Sequence, residues 1–385
     1  MGPLCLISRS SCHDGQVIPT VADLVAIGRA AGLAAVGATE AAPFERTRVE
    51  LEQRKAKGLS GDMQFTYRNP DRSTDPRRTM SDATCLIVGA YDYQRELPTR
   101  PTDQPTGRVA TYSSEDHYAS LRAALERVAE PLRAAGFAAL VLADQNHLVD
   151  RAAAHRAGIG WWGKSSNVLV PGIGSLVVLG SVLTNAPLRI ERVAEVEDGC
   201  KTCTKCLDGC PTKAIISPGV VDANKCLAWL LQASGSFPVE YRELLGDRIY
   251  GCDDCQDVCP PNQIRRKKPA TQSDEGAWVP ILDILELDDQ TLMARLGRWY
   301  VPDRDPDYLR RNALVVLGNI GRGDDERTGK VLTNMLAHHS PVVVAHAVWA
   351  ARRLSRDDLL GELAGSNSLD EMVSAELQRP VSAVA

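Results

Sequence analysis

Apolar residues recur at helical spacing over residues 21–31 and again over 118–135, with charged residues filling the positions between. That is the pattern of helices burying one face. Around them stand short runs rich in Val, Ile and Leu, at 85–90, 138–143 and 174–183. Runs of this length suit buried strands, and Gly180 inside the third predicts a bulge or a strand boundary. Polar and Gly/Pro-rich stretches at 97–106 and 170–174 read as loops. Helix and strand in alternation predict an α/β domain with a central sheet over residues 1–190.

The pattern then changes twice. Residues 191–268 are dense in Cys, Gly, Asp and Pro and carry little apolar periodicity. So little apolar surface predicts that bound inorganic material cross-links this segment. Residues 269–385 return to helical spacing, with Leu309, Ala313, Leu317 and Ile320 on one face. Ser340-Pro341 reads as an N-cap and a first-turn proline ahead of Val343, Ala347, Ala350 and Leu354. Short helices joined by tight turns predict a small HEAT-like domain ending in a C-terminal tail.

Composition narrows the function classes. Of 385 residues, 44% are hydrophobic and 24% charged, which excludes a disordered, collagen-like or coiled-coil chain. The longest apolar runs fall far short of the roughly 20 residues that span a bilayer. The opening residues show neither a basic nor a sustained apolar leader segment. A cytoplasmic protein with no membrane association is expected. A net charge of −5 excludes a chain coated in nonspecific nucleic-acid-binding charge but permits a local basic patch. The run at 265–268 and the pair Arg310-Arg311 are candidates for phosphate contacts, or simply solvated charged faces.

The informative number is 11 cysteines, because eight lie between Cys200 and Cys259 while Cys5, Cys12 and Cys85 are scattered. In a reducing compartment such crowding points to metal ligation before disulfides. Cys200, Cys203, Cys206 and Cys210-Pro211 reproduce the C-x2-C-x2-C-x3-C-P run of bacterial ferredoxins, in which the fourth thiolate reaches across to the other cluster. Cys252, Cys255 and Cys259-Pro260 repeat the ending of that run, with Cys226 detached upstream. Crossing the fourth ligands assigns Cys200, Cys203, Cys206 and Cys259 to one 4Fe-4S cluster, and Cys210, Cys226, Cys252 and Cys255 to a second. The competing reading is two zinc sites. Zinc sites favour paired C-x2-C units, so a C-x2-C-x2-C triplet speaks against them. Clusters alone move single electrons and break no bonds, so the rest of the chain is expected to hold a second cofactor or dock a partner.

Residues flanking the cysteines carry a resemblance. Asp222-Ala-Asn-Lys-Cys226 and Asp247-Arg-Ile-Tyr-Gly-Cys252-Asp-Asp-Cys255-Gln-Asp-Val-Cys259-Pro-Pro-Asn262 resemble the epoxyqueuosine reductase family. So do the segment Gly158-Ile-Gly-Trp161-Trp-Gly-Lys164-Ser-Ser-Asn167 and the helix Leu309-Arg-Arg-Asn312, which continues to Asn319. The resemblance runs in order over about residues 18–355. It implies an enzyme that reduces the epoxide of epoxyqueuosine at the tRNA wobble position, with cobalamin in the α/β domain and two 4Fe-4S clusters delivering electrons to cobalt. It further implies the tRNA anticodon stem-loop as partner, a flavodoxin- or ferredoxin-like electron donor and a monomeric enzyme.

The family's proton donor lies at a strand end before the Gly-Lys-Asn-Thr-Asn segment, which puts the role on Asp144. Desolvation against a corrin would keep such an acid protonated. Without the family, Asp144 reads as the cap of a helix starting near Leu148. Arg72, Asn167 and Asp253 stand where cofactor contacts are implied, each of them also a common loop or turn residue. Departures gather near this site: Gln145-Asn146-His147 replace Ser-Ala-Pro, Ser165-Ser166 replace Asn-Thr, Ser181 replaces a Glu, and Asp-Tyr-His becomes Asp116-His117-Tyr118. Two other readings stay open: a corrinoid reductase with another substrate, and a two-cluster electron carrier without cobalamin.

Overall fold

Thr20 opens the first helix, α1 (Val21–Ala30), by accepting the Asp23 backbone N–H while the Asp23 carboxylate accepts the Thr20 N–H. The computed structural model describes residues 12–13, 16–95, 97–191, 195–265, 276–364 and 369–380. After α1 the principal elements of the first region are β1 (Ala35–Glu40), α2 (Glu45–Ala56), β2 (Cys85–Asp92) and β3 (Thr106–Val109). They continue with α3 (His117–Ala134), β4 (Ala139–Ala143), α4 (Asp150–Arg156) and β5 (Val177–Thr184). The predicted alternation of helix and strand is observed.

Strands β1, β2, β5 and β4 pair in that order, all antiparallel. Ile87, Val178 and Val182 meet α1 and α3 on one face, while Leu86, Val88, Leu179 and Leu183 meet α4 on the other. With both faces covered, the two-residue period of the pleat disappears into continuous apolar runs. Gly180 is neither a bulge nor a boundary. It lies mid-strand in unbroken register opposite Gly89. A Cβ there would stand 2.8 Å from Leu125 Cδ1 and 2.9 Å from the Leu142 carbonyl oxygen, so glycine lets α3 settle onto the sheet.

Strand β3 belongs to a second sheet. It pairs in parallel with β6 (Arg248–Tyr250) and antiparallel with β7 (Trp278–Pro280), tying together all three stretches of the chain. The C-terminal region contains α5 (Asp307–Ile320), α6 (Glu326–Leu336), α7 (Pro341–Arg353) and α8 (Glu371–Gln378). Leu309, Ala313 and Leu317 are buried as expected, but so are Arg310, Arg311 and Asn312 on the other sides of α5. The reason is the cysteine-rich region, whose Leu227, Leu230, Leu231 and Phe237 join the same core. That segment does bury apolar surface, by sharing it with α5. Ser340 precedes α7 without a side-chain cap, its N–H donating to His338 Nδ1 at 3.2 Å. No helix among the described residues is long and apolar enough to cross a membrane.

Neither reading of Arg310-Arg311, phosphate contact or solvated charged face, holds, because both side chains are buried. Arg310 pairs with Asp289 (2.7 Å) and Asp307 (3.0 Å). Arg311 donates to the carbonyls of Ala233 (2.6 Å), Gly235 (2.8 Å) and Leu230 (3.1 Å) and to Asn312 Oδ1 (2.8 Å). Burial draws its guanidinium down to about 9, which leaves it charged at neutral pH. Most of the basic run at 265–268 lies outside the described residues. Replacing Arg311 with Met strands several buried acceptors at once. Arg311→Met should therefore lower stability by about 3 kcal/mol or more, read as a lower urea midpoint.

Candidate active site

The eight cysteines of the block fall into two quartets. Cys259 feels Cys200, Cys206 and Cys203, and Cys255 feels Cys252, Cys226 and Cys210. This grouping is the one that crossing the fourth ligands predicts. Two short helices, Lys205–Asp208 and Asp254–Asp257, place the thiols. They pack so closely that a Cβ on Gly209 would stand 2.9 Å from Val258 Cγ2. Burial raises every one of these thiols for which a shift is resolved. Cys259 is pushed up to about 11, and Cys252, with Asp254 adding to burial, to about 12. Among the described residues, the ligand-type side chains whose donor atoms come within 4.8 Å of one another are Asp307, His338 and His339. No three of the cysteine sulfurs converge so tightly, whereas bonds of 2.3 Å would bring thiolates on one zinc ion to about 3.8 Å. The Asp307 group brings together two histidines, but its carboxylate is already bound by Arg310.

Only one quartet faces the large cavity. Cys210, Cys226, Cys252 and Cys255 line a space of about 1750 Å³, while the other four cysteines lie away from it. Its walls come from α2, the ends of β4 and β5, the loop through Asn167, and residues 297–300 before α5. Pockets for ordinary small molecules span about 300–1,000 Å³, so this one suits something larger. Val177 and Leu179 supply apolar wall, and Ser165, Asn167 and Gln232 supply polar rim.

Asp144 follows β4 in a left-handed backbone conformation, φ 55°, which a non-glycine residue holds only when its surroundings enforce it. It is not a helix cap. Helix α4 begins at Asp150, after Val149, with no side-chain capping bond. Asp144 is an exposed residue that faces the cavity, its carboxyl partly desolvated there. That desolvation raises its carboxyl above the usual range, with Arg122 pulling it down. Arg122 is positioned by a long bond of 3.5 Å to the Ala143 carbonyl. Asn167 also lines the cavity, its Nδ2 donating to Ser165 Oγ at 3.4 Å.

Two expected cofactor contacts fall elsewhere. Arg72 stands outside the cavity wall, 3.0 Å from His147 Nε2, and Thr79 Oγ1 holds the other ring nitrogen at 3.2 Å. Asp253 accepts the Thr111 N–H (2.6 Å) and hydroxyl (2.7 Å), pegging the cysteine-rich region to the short helix Thr111–Ser114 after β3. Its carboxylate is occupied between two polypeptide segments. The exchange at 116–118 also has a visible consequence. His117 turns away, stacked on Tyr93 and 3.2 Å from Arg95. Tyr118 lies against Asp144 and Asp150 and is held protonated chiefly by burial.

Several residues at the site escaped the sequence reading. Asp150 meets Asp144 through the turn between β4 and α4, with Arg151 beside Asp150. Arg151 donates to the Ser166 carbonyl at 2.9 Å, joining α4 to the Asn167 loop. The Trp161 indole N–H points at Cys200 Sγ, 3.5 Å away. Pattern arguments find ligands by spacing but not groups that converge through a turn.

With this geometry in place, comparison with known proteins is informative. Residues 199–262 match the family model of a 4Fe-4S double cluster binding domain. The chain is 31% identical to the epoxyqueuosine reductase of Bacillus anthracis, over 93% of its own length and 95% of that protein's. A solved epoxyqueuosine reductase with a tRNA-Tyr epoxyqueuosine-modified stem loop superposes with a TM-score of 0.82 at 26% identity, covering 93% of this chain and 96% of that one. Another, from Bacillus subtilis with its catalytic aspartate loop swung out of the active site, gives 0.81 at 26% identity with the same coverages.

Hydrogen bonds to cluster sulfurs raise reduction potential. Trp161→Phe, which keeps the ring and loses the N–H, should make the potential of the Cys200-containing centre more negative in an EPR-monitored redox titration. The other centre should be unmoved.

Proposed function

The chain belongs to the epoxyqueuosine reductase family, and from that membership we propose that it reduces the epoxide of epoxyqueuosine at the tRNA wobble position to queuosine. The observation that carries the reading is one cavity with a thiol quartet on one wall and the Asp144 carboxyl on another. We assign residues 1–190 to an α/β cofactor and catalytic domain, 191–268 to a ferredoxin-type cluster domain and 269–385 to a HEAT-like helical domain.

The reaction consumes two electrons and two protons and releases the epoxide oxygen as water. Two 4Fe-4S clusters suit the quartets, and their placement gives the electron path a direction. Cys200, Cys203, Cys206 and Cys259 would hold the outer centre, which meets an external flavodoxin- or ferredoxin-like donor. Cys210, Cys226, Cys252 and Cys255 would hold the inner centre beside the cavity.

A cavity of about 1750 Å³ with an apolar wall and a polar rim fits cobalamin in size and chemistry. Bound there, cobalamin supplies a metal centre able to take up two electrons one at a time. Asn167 and Ser165 would hold its amide edge, and Val177 and Leu179 would pack on its apolar face. Arg72 acts one layer out, fixing His147 beside the Asp144 loop.

Asp144 supplies the proton to the epoxide oxygen. The swung-out catalytic aspartate loop of the Bacillus subtilis enzyme supports reading the strained turn at Asp144 as the equivalent device. A wobble base must be splayed out of its loop to reach this depth. Phe65 and Tyr300, edge-on at 5.2 Å with Tyr300 45% exposed, offer rings for neighbouring anticodon bases.

The test is an anaerobic preparation containing about eight iron and eight sulfide per chain, mixed with cobalamin and then with epoxyqueuosine-containing tRNA. A perturbed corrin spectrum and queuosine formation are expected. Zinc in place of iron would overturn the reading, and cobalamin binding without turnover would move it to another substrate.

Asp144→Asn should lower kcat by about 10²-fold or more while tRNA affinity is retained. Because the Asp144 carboxyl is raised, its acid form survives to higher pH than a free aspartate. Wild-type rate should fall as pH rises through that titration, and the Asn variant should lose this dependence.

A further inference from the structure

The cavity wall holds a second carboxyl to which the reaction above gives no task. Asp150 opens α4 directly after the Asp144 turn and lines the same cavity. Among the described residues its Oδ1 is buried without a hydrogen-bond partner. The side chain and backbone N–H of Asp144 both lie against it. A buried carboxylate oxygen with no donor is costly, whereas a carboxylic acid in the same place carries no net charge to desolvate.

Removing one oxygen as water takes two protons, and a single carboxyl carries one. We propose that Asp150 is the proton store that reloads Asp144 within a turnover. The first Asp144 proton goes to the epoxide oxygen as the ring opens. The Asp150 O–H bond then breaks as a new Asp144 O–H bond forms, and the second proton leaves Asp144 for the hydroxyl that departs as water. The two electrons come from the external one-electron donor through the clusters. Solvent reprotonates Asp150 after product release. This inference rests on the proposed epoxide reduction.

The surroundings favour that assignment. Burial is the largest influence holding Asp150 in its acid form, followed by the charge on Asp144. Arg151 and the Asp144 N–H act the other way. Asp144 therefore ionises first, and its charge then keeps the proton on Asp150. The Tyr118 phenol faces both carboxyls and stays neutral, and Arg122 acts on Asp144 and Tyr118. Once substrate fills the cavity, a proton held within the wall is available without reopening it.

Infrared difference spectra of the reconstituted full-length protein, taken through a pH titration in H2O and D2O, read the carboxyl directly. A D2O-sensitive protonated-carboxyl band is expected at neutral pH. Its higher-titrating component should vanish in Asp150→Asn, leaving that of Asp144, and in Asp144→Asn the Asp150 component should titrate at lower pH because the neighbouring charge is gone. In turnover, Asp150→Asn should lower kcat about 10²-fold, leave the KM for tRNA unchanged and move the alkaline limb of the pH profile toward acid. Asp150→Glu should restore part of both. No such band in the wild type, a higher-titrating component surviving Asp150→Asn, or a wild-type pH profile in that variant would overturn the proposal. Failure of the wild type to turn over would instead overturn the reductase reading, and the infrared arm would still report on Asp150.

Discussion

Gathering four thiols into one small volume is unfavourable unless something positive sits among them. Each thiolate raises the proton affinity of the next, and burial raises all of them further, as Cys255 among Cys252, Cys226 and Cys210 illustrates. An iron–sulfur core resolves that conflict by taking the thiolates as ligands. The stretches carrying Cys210, Cys226 and Cys252 are far apart in the chain, so the inner quartet also fixes the wall of the cavity.

The remaining architecture keeps that wall in register with the sheet opposite. Strand β3 pairs with β6 inside the cysteine region and with β7 just after it. Asp253, placed between two of the thiols, is bound to Thr111 of the α/β region. Arg311 binds the carbonyls of 230–235 from the helical side. These are short, buried, charge-assisted contacts, stronger than neutral hydrogen bonds. They act between regions that sequence composition separates, and the helical region thereby serves as a brace for the cluster domain. Of the two arginines that look suited to RNA in sequence, Arg311 spends its charge on that brace, while Arg310 pairs with Asp289 and Asp307 inside the helical region.

Legibility in the sequence followed the range of the interactions involved. Strands and helices of the α/β region were readable because local periodicity reports burial, and the thiol quartets because ligand spacing reflects how far a backbone turn reaches around a metal centre. Gly180 misled because a bulge and a close helix contact both ask for a missing side chain, and only packing tells them apart. Asp144 read equally as a cap, since capping and acid catalysis use the same residue type at a strand-to-helix turn. Asp253 and Arg72 were placed near the cofactor by likeness of position, but the partners that occupy them come from distant segments. Asp150 was invisible, being one more acidic residue at a helix start until the fold closed a cavity over it.

The exchange of His117 and Tyr118 acquires meaning once these positions are seen together. An imidazole at 118 would bring a group that titrates near neutrality, and its cationic form would favour ionised Asp144 and Asp150. A buried phenol stays neutral throughout the physiological range, so it adds no positive charge to draw protons off its neighbours. The imidazole has moved to 117, where Arg95 and burial keep it neutral and away from the cavity. Positive charge beside the carboxyls is left to Arg122 and Arg151, both of which are also engaged with backbone carbonyls. This exchange thus shifts the balance toward protonated carboxyls. Proton supply and the inner thiol quartet share one cavity.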